Sequence, residues 1–406
     1  MSISSSISFR ADSDSDYAID ARGSFEKINN SNHRPQYRRS GTAPGSVNGI
    51  HRRRTSRWTW GHGRGARMQN ARAFASCIAA AFLAACACTA SAGTIRLGSG
   101  TGAPTMEMVG VGNPGNAVNP LAPTAVSNNG GGSVSNVFEI GKYEVTNTQY
   151  VQFLNSVAKA DPNNLYNASM QIARSGTSGN YSYAPTSGNA SKPAAFVSFG
   201  DTFRFANWLQ NGTPTGAQGP TTTENGTYNM ALSQPTRNPS ASFWIPSVSE
   251  WYKAAYYSPT LSGTGGYYNF PTSSNSLTAS TAPGTPPAAN FSSVVGASVN
   301  VGSYTGSFSP YGAFDMAGNV AERLDTLTGS TYYAMQGGYS GANGSNNATN
   351  SGVIASASLN GENATTGFRI AAVPEPSTVV LAGMAVASGM VGWLRKKRVA
   401  SRRCLA

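Results

Sequence analysis

Near its C-terminus the chain contains a segment with the composition of a membrane-spanning helix. Residues 378–394 are 17 uncharged, mostly apolar residues, and the basic cluster Arg395–Arg398 follows them directly. In a bilayer the backbone polar groups of such a run must find their partners within the segment, so it can only form a helix. At 1.5 Å per residue the helix would be about 25 Å long, slightly short of a hydrocarbon core of roughly 30 Å. Because Lys and Arg favour the cytoplasmic side, we predict one C-terminal transmembrane helix with its basic end inside.

A proline-rich turn precedes this helix. Pro374, Glu375 and Pro376 stand just before the apolar run. The order of turn, apolar run and basic end resembles the PEP-CTERM sorting signal over residues 373–398. The resemblance implies an exported protein of a Gram-negative bacterium that pauses in the inner membrane until an exosortase cuts near the motif. The product then enters the cell envelope or the extracellular matrix. The alternative is an ordinary membrane anchor that is never cut.

A second apolar stretch lies nearer the N-terminus. Met68 and Arg72 precede the apolar run 73–87, and Ala90-Ser91-Ala92 follows it. This is the order of a secretory signal peptide with an A-x-A cleavage site. We therefore expect residues 68–92 to be a signal peptide.

Residues 1–67 have a different composition from the rest. They are rich in Ser, Arg, Asn and Gly and poor in aliphatic side chains, so they cannot bury a core. We expect either a disordered basic extension or a misassigned start codon, with Met68 as the true first residue. Leu83–Cys86 also resembles a lipobox, which leaves lipidation of Cys86 open.

Positive charge is confined to the two ends of the chain. The formal net charge is +12, but residues 93–376 contain 10 Lys and Arg against 12 Asp and Glu. A nucleic-acid partner would need a basic patch on the folded part. We therefore exclude nucleic acid as a partner.

Residues 93–376 contain neither Cys nor His. The four Cys are at 77, 86, 88 and 404, and the three His are at 33, 51 and 62. Disulfides, zinc centres held by Cys or His, and nucleophile systems that need Cys or His are therefore excluded from this part. Oxygen is the ligand type that remains for a metal, and it favours Ca²⁺.

The same residues predict a loop-rich fold with a few helices. Gly, Asn, Ser, Thr and Pro are abundant and charges are few, which is typical of short strands joined by long loops. Helical spacing predicts three helices: Thr148–Ala158 with Asn147 as its N-cap, a helix from the cap Asp201 to Leu209, and a helix opened by the capping box Ser247–Glu250. We expect their aromatic residues in the core.

A series of motifs follows in fixed order along this part. They are FEIGKYEVTN at 138–147, PAAFVSF at 193–199, FWIPSVSEWYKAA at 243–255, YGAFDMAGNVAE at 311–322, QGGY at 336–339 and TGFRIA at 366–371. Together they resemble the formylglycine-generating enzyme, or sulfatase-modifying factor, family over residues 104–372. The resemblance implies an α+β, C-type-lectin-like fold with little regular secondary structure.

The residues that would carry the family's oxidase chemistry are missing. Catalytic members have a pair of cysteines between the last two motifs, where they bind copper and engage the substrate cysteine. Residues 339–366 contain no Cys, and oxygen ligands cannot replace the thiolates that Cu(I) needs. The His ligands of the related iron-dependent sulfoxide synthases are missing too. We therefore disfavour copper binding and formylglycine formation, and we assign no catalytic residue.

The family's calcium pattern is better preserved. The resemblance places carboxylate ligands at Asp315 and Glu322 and backbone carbonyl ligands at Gly318 and Val320. Two carboxylates around a Gly-Asn turn suit the oxygen shell of Ca²⁺. The alternative is a pair of solvated loop acids around a left-handed turn.

A second family calcium site would begin at Asn290 and Phe291. No Asp or Glu follows them up to Asn300, so this stretch supplies no carboxylate for that site.

Two further residue types could serve structure or binding. Arg369, in the closing motif, is expected in a buried hydrogen-bonded pair that locks the terminal strand, with a ligand carboxylate as the alternative partner. Trp208, Trp244 and Trp251 could offer sugar-stacking faces, but their helical and strand phases point them inward.

The leading hypothesis is an exported, noncatalytic, lectin-like module structured by calcium. It would bind a glycan or a protein in the cleft bounded by the loop 340–365. One alternative is a divergent formylglycine-generating or mononuclear metal oxidase that uses carboxylates and Tyr. Another is a surface-coat protein without a specific ligand.

Overall fold

A computed structural model describes residues 93–329, 331–349 and 355–374, together with two short strands near the N-terminus. The chain divides into two compact units, residues 1–67 and residues 68–406. In the first unit, Ala18–Ile19 (β1) pairs antiparallel with Phe25–Glu26 (β2). The predicted signal peptide 68–92 and the predicted transmembrane helix 378–394 lie outside the described residues. Within the described part, no helix is both long and apolar enough to cross a membrane.

The second unit is built from short strands and a few helices. Its described α-helices are Thr124–Ser127 (α1), Asn147–Val157 (α2), Phe199–Gln210 (α3) and Val248–Tyr256 (α4), and single 3-10 turns lie at Leu261–Gly263 and Gly344–Asn347. Its described strands are Thr94–Arg96 (β3), Thr105–Val111 (β4), Phe138–Gly141 (β5), Ile172–Ser175 (β6), Ser182–Pro185 (β7), Phe243–Trp244 (β8), Tyr257–Ser258 (β9), Gly266–Tyr267 (β10), Thr278–Ala279 (β11), Ala288–Ala289 (β12), Ala321–Thr328 (β13), Tyr332–Gln336 (β14), Ala355–Ala357 (β15), Thr366–Gly367 (β16) and Ala371–Ala372 (β17).

Two larger sheets organise these strands. One has the order β3-β4-β5-β17-β8 and is antiparallel throughout. The other has the order β15-β14-β13-β16, in which β13 and β16 run parallel. The closing strand β17 lies between β5 and β8, with Ala371 opposite both Ile140 and Trp244. Sheets combined with a few helices confirm the predicted α+β class, whereas the C-type-lectin-like assignment stays a prediction.

The start of helix α2 corrects one predicted cap. Thr146, not Asn147, is the N-cap. Its hydroxyl oxygen accepts a hydrogen bond from the backbone N–H of Gln149, and the Thr146 backbone N–H donates to the side-chain oxygen of Gln149. This reciprocal pair satisfies two backbone N–H groups that have no partner within the helix. Asn147 could not form such a pair, because the residue three positions after it is Tyr150. Asn147 is instead a buried helical residue whose Nδ2 donates to the Asn189 carbonyl at 2.9 Å.

The start of helix α3 corrects a second predicted cap, Asp201. Ser198 is the N-cap, and Asp201 is the third helical residue that completes the capping box. An acidic side chain in the first turn also suits the positive end of the helix dipole. For α4 the predicted capping box of Ser247 and Glu250 is confirmed.

A cluster of aromatic rings in the core joins two of the helices to the closing motif 366–371. The rings of Phe153 in α2 and Phe205 in α3 lie 5.3 Å apart, and Phe205 lies 5.3 Å from Phe368 in an edge-to-face contact. Trp208 and Trp251 are fully buried and Trp244 is buried, as predicted. None of these three indoles is therefore available as a sugar-stacking face.

Candidate functional site

The segment 315–320 makes a tight turn with left-handed residues just before β13. Asp315, Gly318 and Asn319 have φ angles of 58°, 75° and 59°. A Cβ at Gly318 would lie 2.1 Å from the Asn290 carbonyl oxygen, so only Gly fits there. The Asn319 N–H donates to that same carbonyl at 2.9 Å. The structure thus brings the two predicted calcium segments together, although they lie far apart in sequence.

Glu322 forms a buried ion pair with Arg369. Both side chains are fully buried, and both carboxylate oxygens accept hydrogen bonds from the guanidinium. The indole N–H of Trp251 donates to Glu322 Oε2 at 2.8 Å. Arg369 also donates to the Gly141 carbonyl at 2.7 Å and to the Phe314 carbonyl at 3.0 Å. It therefore ties the closing motif to strand β5 and to the turn, which is the structural role predicted for it.

Asp315 is buried close to this pair. Its Oδ2 accepts the Gly302 N–H at 2.6 Å. Burial raises the pKa of Asp315 to about 6, although the Gly302 hydrogen bond and the positive charge of Arg369 oppose the shift.

A third carboxylate, Glu144, joins the cluster and was missed in the sequence. Glu144 lies in the loop that connects β5 to α2, and its side chain is buried. Its Oε1 accepts a hydrogen bond from Asn319 Nδ2 at 3.0 Å. Its Oε2 is buried and meets no donor among the described residues. Burial, together with the negative charge of Asp315, raises the pKa of Glu144 well above its usual range. The only sequence signal was its place in the motif 138–147.

One of the four predicted calcium groups, the Glu322 carboxylate, is already engaged within the protein. Glu322 accepts two hydrogen bonds from Arg369 and one from Trp251, so an ion at this carboxylate would compete with the guanidinium. In the part of the chain that the structure describes, no group of three or more Asp, Glu, His or Cys side chains is arranged to hold a metal. Calcium binding at Asp315, Gly318, Val320 and Glu322, and at Asn290 and Phe291, stays a prediction.

A cavity of about 230 Å³ has Asn319 in its wall. It is formed by segments that are far apart in sequence, including Ser340 and Thr365 at the two ends of the loop predicted to bound the cleft. The apolar part of the wall includes Pro193, Ala195 and Phe196. The polar part includes Asn147, Gln171, Ser298, Asn319, Ser340 and Thr365.

Asn319 and Thr365 in this wall are held by hydrogen bonds within the protein, whereas Gln171 Oε1 is buried without a partner among the described residues. Asn319 Oδ1 accepts the Val299 N–H at 2.9 Å while its Nδ2 donates to Glu144. The Thr365 hydroxyl donates to Asn363 Oδ1 at 2.9 Å. The cavity is therefore organised before any ligand arrives.

The described residues that line a second cavity, of about 320 Å³, include none of the motif residues. This cavity is lined by Leu121, Asn269, Phe270, Ala348 and Thr349.

The sorting motif reaches only the edge of the described residues. Pro374 is the last residue described, and Glu375 and Pro376 lie beyond it.

Comparison with known families finds two matches. The model of the sulfatase-modifying factor enzyme 1-like domain matches residues 122–373, more than half of the chain. The model of the PEP-CTERM protein-sorting motif matches residues 372–397. The second match confirms the predicted sorting signal, which implies export and recognition by an exosortase-type enzyme. None of the curated proteins compared with the chain matches it.

Among solved structures, 29 chains match. Treponema denticola variable protein 1 is 17% identical, with a TM-score of 0.41 over 70% of this chain and 100% of that one. CarF is 18% identical, with a TM-score of 0.41 over 66% and 99% of the two chains. PvdO from Pseudomonas aeruginosa is 17% identical, with a TM-score of 0.36 over 70% and 92%. Similarities this remote carry no argument about function.

Proposed function

The chain belongs to the sulfatase-modifying factor enzyme 1-like domain family, and on that premise we propose that it is an exported, noncatalytic binding module. Its sorting signal would deliver the module to the cell envelope or the extracellular matrix. The module would bind a glycan or a protein in the cavity between Ser340 and Thr365.

One observation carries this proposal: a preorganised cavity lies at the loop that lacks the family's cysteine pair. Residues 339–366 contain no Cys, and residues 93–376 contain no Cys or His. Copper therefore has no thiolate ligand in this loop. The cavity retains amides and hydroxyls that can bind a ligand.

The buried carboxylates support a structural role for the neighbouring cluster. Glu322 is neutralised by Arg369 and takes a third hydrogen bond from Trp251. A carboxylate bound in this way is not available as a general base.

Calcium remains a separate part of the proposal. An ion at the turn would use Asp315 and the carbonyls of Gly318 and Val320, and it would have to compete with Arg369 for Glu322. Isothermal titration of the chelator-treated protein with CaCl₂ tests this directly. An Asp315→Asn variant that abolishes the heat would support the site, and an unchanged titration would remove it from the proposal.

Binding to surface polysaccharide tests the proposed function itself. The purified chain is immobilised, and capture of polysaccharide and of envelope proteins from its own host is measured. Ala297 is an exposed residue on the cavity wall, so Ala297→Trp fills the cavity without touching the core. Ala231→Trp, at an exposed site outside the cavity wall, is the matched control. Capture that only Ala297→Trp abolishes supports the proposal, whereas capture that ignores the cavity contradicts it.

Metal analysis of the same preparation separates this proposal from the oxidase alternative. Stoichiometric copper or iron would favour the oxidase.

A further inference from the structure

We propose that the cavity between Ser340 and Thr365 takes one uncharged hexose unit of a polysaccharide, plain or N-acetylated. This inference rests on the proposed function and narrows its ligand to one chemical class.

The wall of the cavity excludes charged ligands. Every described residue that lines it is uncharged. An ionised group that enters a partly buried site without an opposite charge loses hydration that neutral amides and hydroxyls replace only in part. Uronic acids, phosphorylated sugars, and peptides that place Lys, Arg, Asp or Glu in the cavity are therefore disfavoured.

The chemistry of the wall suits a sugar better than an apolar side chain. Asn147, Asn319 and Gln171 are amides that both donate and accept, and Ser298, Ser340 and Thr365 add hydroxyls. Sugar hydroxyls also both donate and accept. Asn147 Nδ2, the Asn319 amide and the Thr365 hydroxyl already have partners within the protein. Gln171 Oε1 is buried and has none among the described residues, and an apolar peptide side chain would leave it unpaired at a cost.

One aromatic residue completes the site. Phe196 lines the cavity with a φ angle of 57°, a left-handed conformation that is rare for a bulky side chain. Its N–H is fixed by the Asn363 carbonyl at 2.9 Å. Such strain persists where the surrounding structure holds a residue in place, often at a binding site. Here it holds Phe196, which packs partly against the core, in the same wall as the amides. The wall thus combines apolar and polar surface, as a hexose does.

The size of the cavity limits the ligand to a single unit. Pockets for drug-sized ligands are about 300–1,000 Å³. A cavity of about 230 Å³ is smaller than these. Further units of a chain would extend into solvent past the exposed residues Ala297 and Ala364.

Saturation-transfer NMR on the full chain tests the inference. The probes are the methyl glycosides of glucose, galactose and mannose, N-acetylglucosamine, glucuronic and galacturonic acid, and two pentapeptides, one neutral and one containing Arg. We expect transfer to at least one neutral sugar, none to the acids and peptides, and loss of that transfer in Ala297→Trp but not in Ala231→Trp.

Phe196→Asn is the second variant, because Asn tolerates the left-handed conformation. We expect the fold to be kept and the affinity for the neutral sugar to fall about tenfold, the upper range for one aromatic contact. Urea unfolding of the same sample checks the fold. If folded Phe196→Asn binds the neutral sugar with unchanged affinity, the proposed role of the Phe196 ring is overturned.

The remaining outcomes separate this inference from the proposed function. Transfer to an acid or a peptide that Ala297→Trp abolishes overturns the neutral-sugar inference and keeps the binding module. Absence of transfer to any neutral sugar also overturns the inference, and if polysaccharide capture persists the module still stands. If neither sugar transfer nor polysaccharide capture is observed, both the neutral-sugar inference and the proposed binding function are overturned.

Discussion

Replacing Arg369 with Met should destabilise the domain more than any comparable surface change. The substitution keeps much of the side-chain length but removes the guanidinium that neutralises Glu322. Glu322 is fully buried, and Glu144 and Asp315 lie in the same cluster. Truncating one partner of a buried pair costs about 3–5 kcal/mol, because the other charge stays buried and unpaired. Two backbone carbonyls, of Gly141 and Phe314, also lose their donor.

The loss is large relative to the stability of an ordinary domain. Native domains are stable by about 5–15 kcal/mol, so Arg369→Met should remove a third or more of the free energy of unfolding. The three buried Trp residues of the domain report unfolding by fluorescence in urea. Lys142→Met is the matched control, because its pair with Glu107 is partly exposed at 2.9 Å and should be worth about 0–1 kcal/mol.

A double substitution completes the experiment. Glu322→Gln removes the unpaired charge, so Arg369→Met combined with Glu322→Gln should recover part of the loss seen in Arg369→Met alone. The reasoning is refuted if Arg369→Met costs no more than Lys142→Met, or if the double variant is less stable than additivity predicts.

Three further predictions concern pH, a helix cap and sorting. Burial raises the pKa of Asp201 to about 7, so its contribution to stability is full below its ordinary pKa of about 4 and is lost as the pH rises through 7. The free energy of unfolding, measured by urea titration at pH 4 to 8, should fall less steeply with pH in Asp201→Asn than in the unchanged protein. An equal dependence on pH in the two proteins would contradict this prediction. Ser247→Ala should lower the free energy of unfolding by about 1 kcal/mol through loss of the cap of α4, whereas Ser187→Ala, at an exposed loop residue, should not. Alanine at 374, 375 and 376 together should retain the protein in the inner-membrane fraction of a host with an exosortase, and normal release would count against the sorting role.

The parts predicted well from the sequence were those with a local signal. The capping box of Ser247 and Glu250 was found because both residues lie within one helical turn. The inward direction of Trp208 followed from helical spacing alone, and the structure buries it completely. The sorting signal was found because turn, apolar run and basic cluster are contiguous.

The two misplaced caps show the limit of that local signal. Asn147 and Asp201 are both good cap residues, but a Thr or Ser stands nearby in each case. Thr146 with Gln149, and Ser198 with Asp201, make reciprocal pairs that satisfy two amide groups each. The spacing of three residues, rather than the residue type alone, decides where the helix begins.

The carboxylate cluster could not be predicted in full because its partners are distant in sequence. Arg369 was expected in a buried pair, but nothing local marked Glu322, 47 residues earlier, as its partner. Glu144 meets Asn319 across 175 residues, a contact set by the packing of the β5–α2 segment against the turn. The cavity draws its wall from several such segments, so no single stretch carries its signal.

The central claim is that this domain retains the family scaffold without its oxidase chemistry, and an assay of thiol oxidation tests it most directly. The purified chain, loaded with Cu(I) under oxygen, is incubated with a Cys-containing sulfatase peptide, and aldehyde formation is followed by mass spectrometry. The account predicts no turnover above copper alone, because residues 339–366 offer no thiolate to hold the metal. Repeated turnover that depends on the protein would contradict it.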